Sequence, residues 1–181
     1  MKEVRSGHTT IILVQGDITA EKSDAIVNAA NSHLAHGGGV AAAIARKAGE
    51  ELIIASRQAP HVPTGQVYTT PAGNLHATYV IHAVGPVWHG GTSQEAKLLA
   101  AAIRNSLQEA DRLQCTSISL PAISTGIYGY PLDQAASVII STILEYVANN
   151  KQTQLAVIRL VLYTSHDLAV FEKTLDQVQR E

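Results

Sequence analysis

Apolar and polar positions alternate along the chain in two rhythms. Short, near-continuous runs of β-branched and aliphatic residues are followed by longer stretches whose apolar residues return every three or four positions. The first rhythm suits strands covered on both faces and the second amphipathic helices; their alternation from one end to the other is the mark of an α/β domain. Strands are expected at Thr10–Gln15, Ala25–Asn28, Gln66–Thr70, Tyr79–Val84, Ser117–Pro121 and Ile158–Tyr163, and helices at Val40–Ala48, Gly49–Ser56, Ser93–Leu113, Leu132–Asn149 and His166–Gln179. In the third helix Leu99, Ala102, Ile103, Ser106, Leu107, Ala110 and Leu113 share one face, and Thr92 with Glu95 has the spacing of a capping box. Pro131 precedes the fourth helix, where a proline is tolerated, and Asn149–Asn150 closes it. Helices linking roughly parallel strands imply a three-layer α/β/α sandwich with right-handed crossovers.

Composition narrows the class. The chain has 181 residues, 46% of them hydrophobic and 15% charged, with no repeat, linker or low-complexity segment. A single domain over residues 1–181 is expected, burying roughly 70% of the surface of its unfolded chain. The first ten residues lack the apolar core of a signal peptide, and no stretch approaches the ~20 apolar residues of a membrane span, so a cytoplasmic protein is expected. A lone Cys115 excludes an internal disulfide and a thiolate metal cluster. A net charge of −2 argues against a non-specific polynucleotide binder, so an anionic ligand must be held by local geometry.

In open α/β sheets ligands bind beyond the carboxyl ends of the strands, which directs attention to the loops after Gln15, Asn28, Pro121 and Tyr163. The stretch "NAANSHLAHGGGVAAAI", residues 28–44, places three glycines between a strand and a helix. Glycines there let the backbone approach a ligand closely, and the helix start offers unpaired N–H groups to a phosphate. A second loop, "SLPAISTGIYGYP" at 119–131, has the same position and character, so the two could grip a diphosphate from both sides. Asp17, just past the first strand, suits a turn cap or an acceptor for an exocyclic amine, and Tyr163 is either a core tyrosine or a flat face for a base. Other chemistries fit less well. Gly37, Gly39 and Ala42 match G-x-G-x-x-A, but no acid follows at ribose-binding distance. Around Ser124, "AISTG" approximates a nucleophile elbow, yet the helix does not follow at once. His33 and His36 lack a third metal ligand, and His82, in an apolar strand, reads as a hydrogen-bonded core residue; neither metal nor cofactor is expected.

The blocks "QGDIT", "AIVNAANSHLAHGGGVAAAI", "HAVGP" and "SLPAISTGIYGYP", in this order and spacing, resemble the macro domain, the module that binds ADP-ribose. The resemblance spans about Thr10 to Leu175 and implies a mixed, mainly parallel six-stranded sheet. It implies that Asp17 receives the adenine amine, that the Ile18 N–H meets the ring and that Tyr163 stacks on it. Gly38, Gly39 and Val40 would face the diphosphate from one side, and Ser124, Thr125, Gly126, Ile127 and Tyr128 from the other. Asn31 would bond the distal ribose, Asn28 would orient the loop from the strand end, and Asn31 with Gly39 would form the catalytic pair. The chain departs from the MacroD-type hydrolases at Ala41, where those carry an aspartate after "GGGV". Two expectations follow: a hydrolase of ADP-ribosyl esters, on protein Asp or Glu or on O-acetyl-ADP-ribose, or a reader that binds ADP-ribose and ADP-ribosylated partners without cutting.

Overall fold

A computed structural model describes residues 1–181. Seven strands form one sheet: β1 (Lys2–Ser6), β2 (Thr9–Gln15), β3 (Ala25–Ala30), β4 (Val67–Pro71), β5 (Tyr79–Val84), β6 (Ser117–Leu120) and β7 (Val157–Leu162), in the order β1-β2-β7-β6-β3-β5-β4. The five inner strands run parallel, while β1 and β4 pair antiparallel at the two edges. This is the mixed, mainly parallel sheet anticipated above, with seven strands rather than six. The additional strand, β1, reads "KEVRS" and alternates exposed with half-buried residues. A charged edge strand resists pairing with a further chain, and the same charges hide it from a search for apolar runs.

Five helices cover the sheet: α1 (Gly39–Ala48), α2 (Glu50–Arg57), α3 (Glu95–Arg112), α4 (Leu132–Asn149) and α5 (Ser165–Val178). Side-chain alternation along each strand sorts the apolar residues into two cores. Ile11, Leu13, Val27, Ile81, Ile118, Leu120, Ile158 and Leu160 pack with Leu99, Ile103 and Leu107 of α3, Ile139 and Ile143 of α4 and Phe171 of α5. On the opposite face Ile26, Val80 and Val161 meet Ile44 and Ala48 of α1 and Leu52 of α2. The arrangement is α/β/α, and it sends the carboxyl ends of β2, β3, β5, β6 and β7 to one edge.

The expected elements hold to within two residues at each end, but the capping box does not. Helix α3 begins at Glu95, not Ser93, and its cap residue Gln94 is left-handed at φ 61°. The Thr92 hydroxyl donates to the His89 carbonyl, while the Glu95 carboxylate reaches back to the N–H groups of His89, Gly91 and Ser93. The acid therefore organises the preceding turn instead of pairing with Thr92.

Candidate functional site

A cleft of about 1190 Å³ lies along the carboxyl edge of the parallel strands. Its walls include Asp17, Ile18, Asn31, Gly38, Gly39, Val40, Ser124, Thr125, Gly126, Ile127, Tyr128 and Tyr163, so one concavity gathers every residue assigned to the site from sequence. A smaller polar hollow of about 480 Å³ sits at the opposite edge, where Asp111 accepts bonds from Tyr146, Thr153 and the Gln154 N–H. Those groups are spent on closing the turn before β7.

At one end of the cleft, β2 hands over to a 3-10 turn, Ile18–Ala20. Asp17 caps it: Oδ1 accepts from the Thr19 N–H at 2.9 Å and the Thr19 hydroxyl at 2.7 Å. These bonds, the hydroxyl first, hold the carboxyl below the usual aspartate range, so it is an ionised acceptor at neutral pH with Oδ2 unengaged. The turn is braced from below by the Glu21–Arg159 ion pair at 2.6 Å, into which Ser119 also donates. Tyr163, immediately after β7, is 78% exposed and so is not a core tyrosine.

The middle of the cleft is bounded by two loops that act as jaws. The first runs from Asn31 to Gly39. The Asn31 side chain closes it on itself, with Nδ2 donating to the Ala35 carbonyl at 2.7 Å and Oδ1 accepting from the N–H groups of His33 and Ala35. Of the three glycines, only Gly39 takes a left-handed backbone, at φ 57°. Gly38 is extended and serves close approach: a Cβ there would stand 3.3 Å from Ile127 Cδ1 of the other jaw. The first intrahelical bond of α1 runs from Ala42 N–H to Gly38 O, leaving the N–H groups of Gly39, Val40 and Ala41 unpaired at a helix start.

The second jaw follows β6. Its internal bonds join Thr125 N–H to Ala122 O, Gly129 N–H to Gly126 O and Tyr130 N–H to Ser124 O. The N–H groups of Ser124, Gly126, Ile127 and Tyr128 make no hydrogen bond. Ser124 is left-handed at φ 69°, and its buried hydroxyl has no partner. No histidine lines the cleft, so Ser124 lacks the base that a serine nucleophile needs. Beneath it, Gly85 leaves room that a Cβ would take from Ser124 Oγ and Ile123.

The other singled-out residues fall behind the cleft. His36 Nε2 bonds the Ser56 hydroxyl at 2.8 Å, whereas the His33 ring meets His61 edge-on, so the H-x-x-H pair divides between different partners. His82 is a buried core residue bonded to Asn28 and Thr70. Burial, foremost, pushes the Cys115 thiol up to about 11, where it stays protonated. Arg46 and Asp167 on the rim were not anticipated. They lie in regular helical sequence, and nothing local distinguishes them from other exposed charges.

A parallel sheet whose carboxyl edge carries two facing sets of unpaired N–H groups, beside an ionised acceptor and an exposed aromatic ring, defines an α/β domain built for an anionic ligand with a ring at one end. The Macro domain model matches residues 27–139. A macro domain-containing protein of Chlorobaculum tepidum is 46% identical over 162 residues, covering 90% of this chain and 93% of that protein. A Salmonella typhimurium protein named O-acetyl-ADP-ribose deacetylase is 51% identical over 139 residues, 75% of this chain and 78% of its own. Among solved structures, a variant of the Oceanobacillus iheyensis macrodomain with ADPR superposes with a TM-score of 0.94 at 33% identity, covering 99% of each chain. The chain belongs to the Macro domain family.

Proposed function

We propose that the cleft binds ADP-ribose and hydrolyses ADP-ribose esters. The observation that carries the binding is the facing of two jaws with unpaired N–H groups: Gly39, Val40 and Ala41 on one side and Ser124, Gly126, Ile127 and Tyr128 on the other. Seven such donors suit a diphosphate without a bulk positive charge, and Arg46 is the sole cation in the lining. Asp17 Oδ2 accepts the adenine amine, the unpaired Ile18 N–H meets the ring, and Tyr163 stacks on its face. The same acceptor disfavours guanine, whose carbonyl oxygen in that position would face a carboxylate.

Binding of the base and diphosphate delivers the distal ribose to Asn31. The amide keeps one Nδ2 hydrogen beyond the bond to Ala35, enough to fix a ribose hydroxyl. Ala41 puts no carboxylate here, and the acids of the lining, Asp17 and Asp167, belong to the β2 and β7 end. Hydrolysis in this setting rests on positioning. A water held near the Gly39 turn adds to the acyl carbon, and the acyl–oxygen bond to the ribose breaks. The hydroxyl stays with the acid, and the proton passes by way of a diphosphate oxygen to the departing ribose oxygen. The name and 51% identity of the Salmonella relative support this chemistry. Ala41 supports a second reading, a reader of ADP-ribosylated partners that does not cut.

Titration calorimetry with ADP-ribose beside NAD and AMP tests the binding. ADP-ribose is expected to bind tightest, and a preference for NAD overturns the assignment. Incubation with O-acetyl-ADP-ribose and with a glutamate-modified protein separates the two readings, since release of acetate or free ADP-ribose excludes a reader.

A further inference from the structure

Glu95 is the least expected charge in the fold. It is 1% exposed at the start of α3 and forms no ion pair. Its partners are main-chain donors only: Oε2 accepts from His89 N–H at 3.0 Å and Gly91 N–H at 2.7 Å, and Oε1 from Ser93 N–H at 2.5 Å. Burial pushes its pKa up, but those N–H groups and its own hold it below the usual glutamate range. A buried anion costs far more than a neutral residue unless its bonds are fixed in place, so the carboxylate and the turn impose geometry on each other.

That turn leads to the second jaw. Gly91, left-handed at φ 85°, lies between the carboxylate and the Trp88 ring, since a Cβ on it would stand 3.1 Å from the indole. The indole packs on Tyr130 with ring centroids 4.6 Å apart. The Trp88 main-chain N–H donates to the Tyr128 carbonyl at 2.9 Å, the one hydrogen bond that reaches Ser124–Tyr130 from elsewhere in the chain. Every other bond of that segment is internal to the loop Pro121–Tyr130.

We propose that Glu95 is a positioning residue for the second jaw. Its carboxylate sets the His89–Ser93 turn, the turn sets Trp88, and Trp88 holds the Tyr128 carbonyl, so that the N–H groups of Gly126, Ile127 and Tyr128 keep facing the cleft. The consequence for ligand binding rests on the reading that this jaw grips a diphosphate. The chain from Glu95 to Trp88 stands apart from it.

Trp88 is the only tryptophan, so its emission reports on the turn without interference. In Glu95→Gln one carboxylate oxygen becomes an NH₂ group that faces N–H donors. Acrylamide quenching of Trp88 is expected to rise about twofold, and ADP-ribose affinity to fall about tenfold, the size of one lost hydrogen bond. Adenosine, which touches only the Asp17 and Tyr163 end, is expected to bind as before by NMR titration. Gly91→Ala keeps the carboxylate but pushes on the indole, and is expected to give the same pattern if Glu95→Gln does not fold. Unchanged quenching in either folded variant overturns the proposal, as does an equal loss for ADP-ribose and adenosine. If the wild type binds no ADP-ribose, the functional reading fails, and the quenching measurement still decides the link from Glu95 to Trp88.

Discussion

Acidification should destabilise this protein chiefly through one buried histidine, His82, well above the pH at which its carboxylates matter. His82 is 0% exposed in β5. The Thr70 hydroxyl donates to Pro71 O, so it accepts from His82 Nε2–H at 2.8 Å; Nδ1 is left to accept from Asn28 Nδ2 at 3.0 Å. Both ring nitrogens are thus engaged in the neutral form, and the His36 ring stacks alongside at 5.4 Å. Burial, aided by the His36 charge, brings the pKa from 6.5 down to about 3. A base whose native pKa is lowered stabilises the fold above its unfolded pKa, and this stability is lost as pH falls from 6.5 toward 3, because the unfolded chain takes up a proton that the native state refuses. The loss at pH 5 relative to pH 7.5 is about 2 kcal/mol from this group. His36, also lowered by burial, acts with the same sign. Asp17, Asp24 and Glu109 have lowered pKa values, so their stabilisation is present above the ordinary carboxylate range and lost below it, outside a window kept above pH 5. Urea unfolding between pH 7.5 and 5 measures the slope directly. His82→Gln, which does not titrate, should start less stable and lose about 2 kcal/mol less over the window. A His82→Gln variant with the wild-type pH slope refutes the argument.

Three further outcomes concern the cleft. Tyr163→Ala should weaken ADP-ribose about 5- to 150-fold, worth ~1–3 kcal/mol of stacking, by calorimetry, while the melting temperature stays put because the ring is exposed; an unchanged Kd removes Tyr163 from the site. Gly39→Glu places a Cβ at φ 57° and an anion at the helix start, so ADP-ribose binding should be abolished, and normal binding would take the first jaw out of the reading. Asn31→Ala should lower turnover of O-acetyl-ADP-ribose far more than it lowers ADP-ribose affinity, measured by acetate release beside calorimetry, and equal losses would leave Asn31 with a loop-closing role only.

Much of this arrangement was legible in the residues, and the parts that were not share a cause. The five parallel strands were readable because burial on both faces demands runs such as "YVIHAV", whose composition does not depend on neighbours. The edge strand β1 was not, because half its residues face solvent and its one apolar residue, Val4, carries no pattern. The jaws could be located from glycine, since close approach and a left-handed backbone leave few alternatives, although Gly37 meets neither condition, Gly38 only the first and Gly39 only the second. Asn28 and His82 could not be linked from sequence: they meet because the β3–β5 register sets them opposite each other across 54 residues. The role of Glu95 was not legible, since an acid three residues after Thr92 satisfies the capping pattern whether it accepts from the Thr92 N–H or, as here, from those of His89, Gly91 and Ser93. The decisive property of the cleft is a set of main-chain N–H groups left without partners, and no residue type encodes that. It arises where a helix starts and where a turn closes on itself, so sequence can point to the loops, while only the hydrogen-bond pattern identifies which N–H groups remain for a ligand.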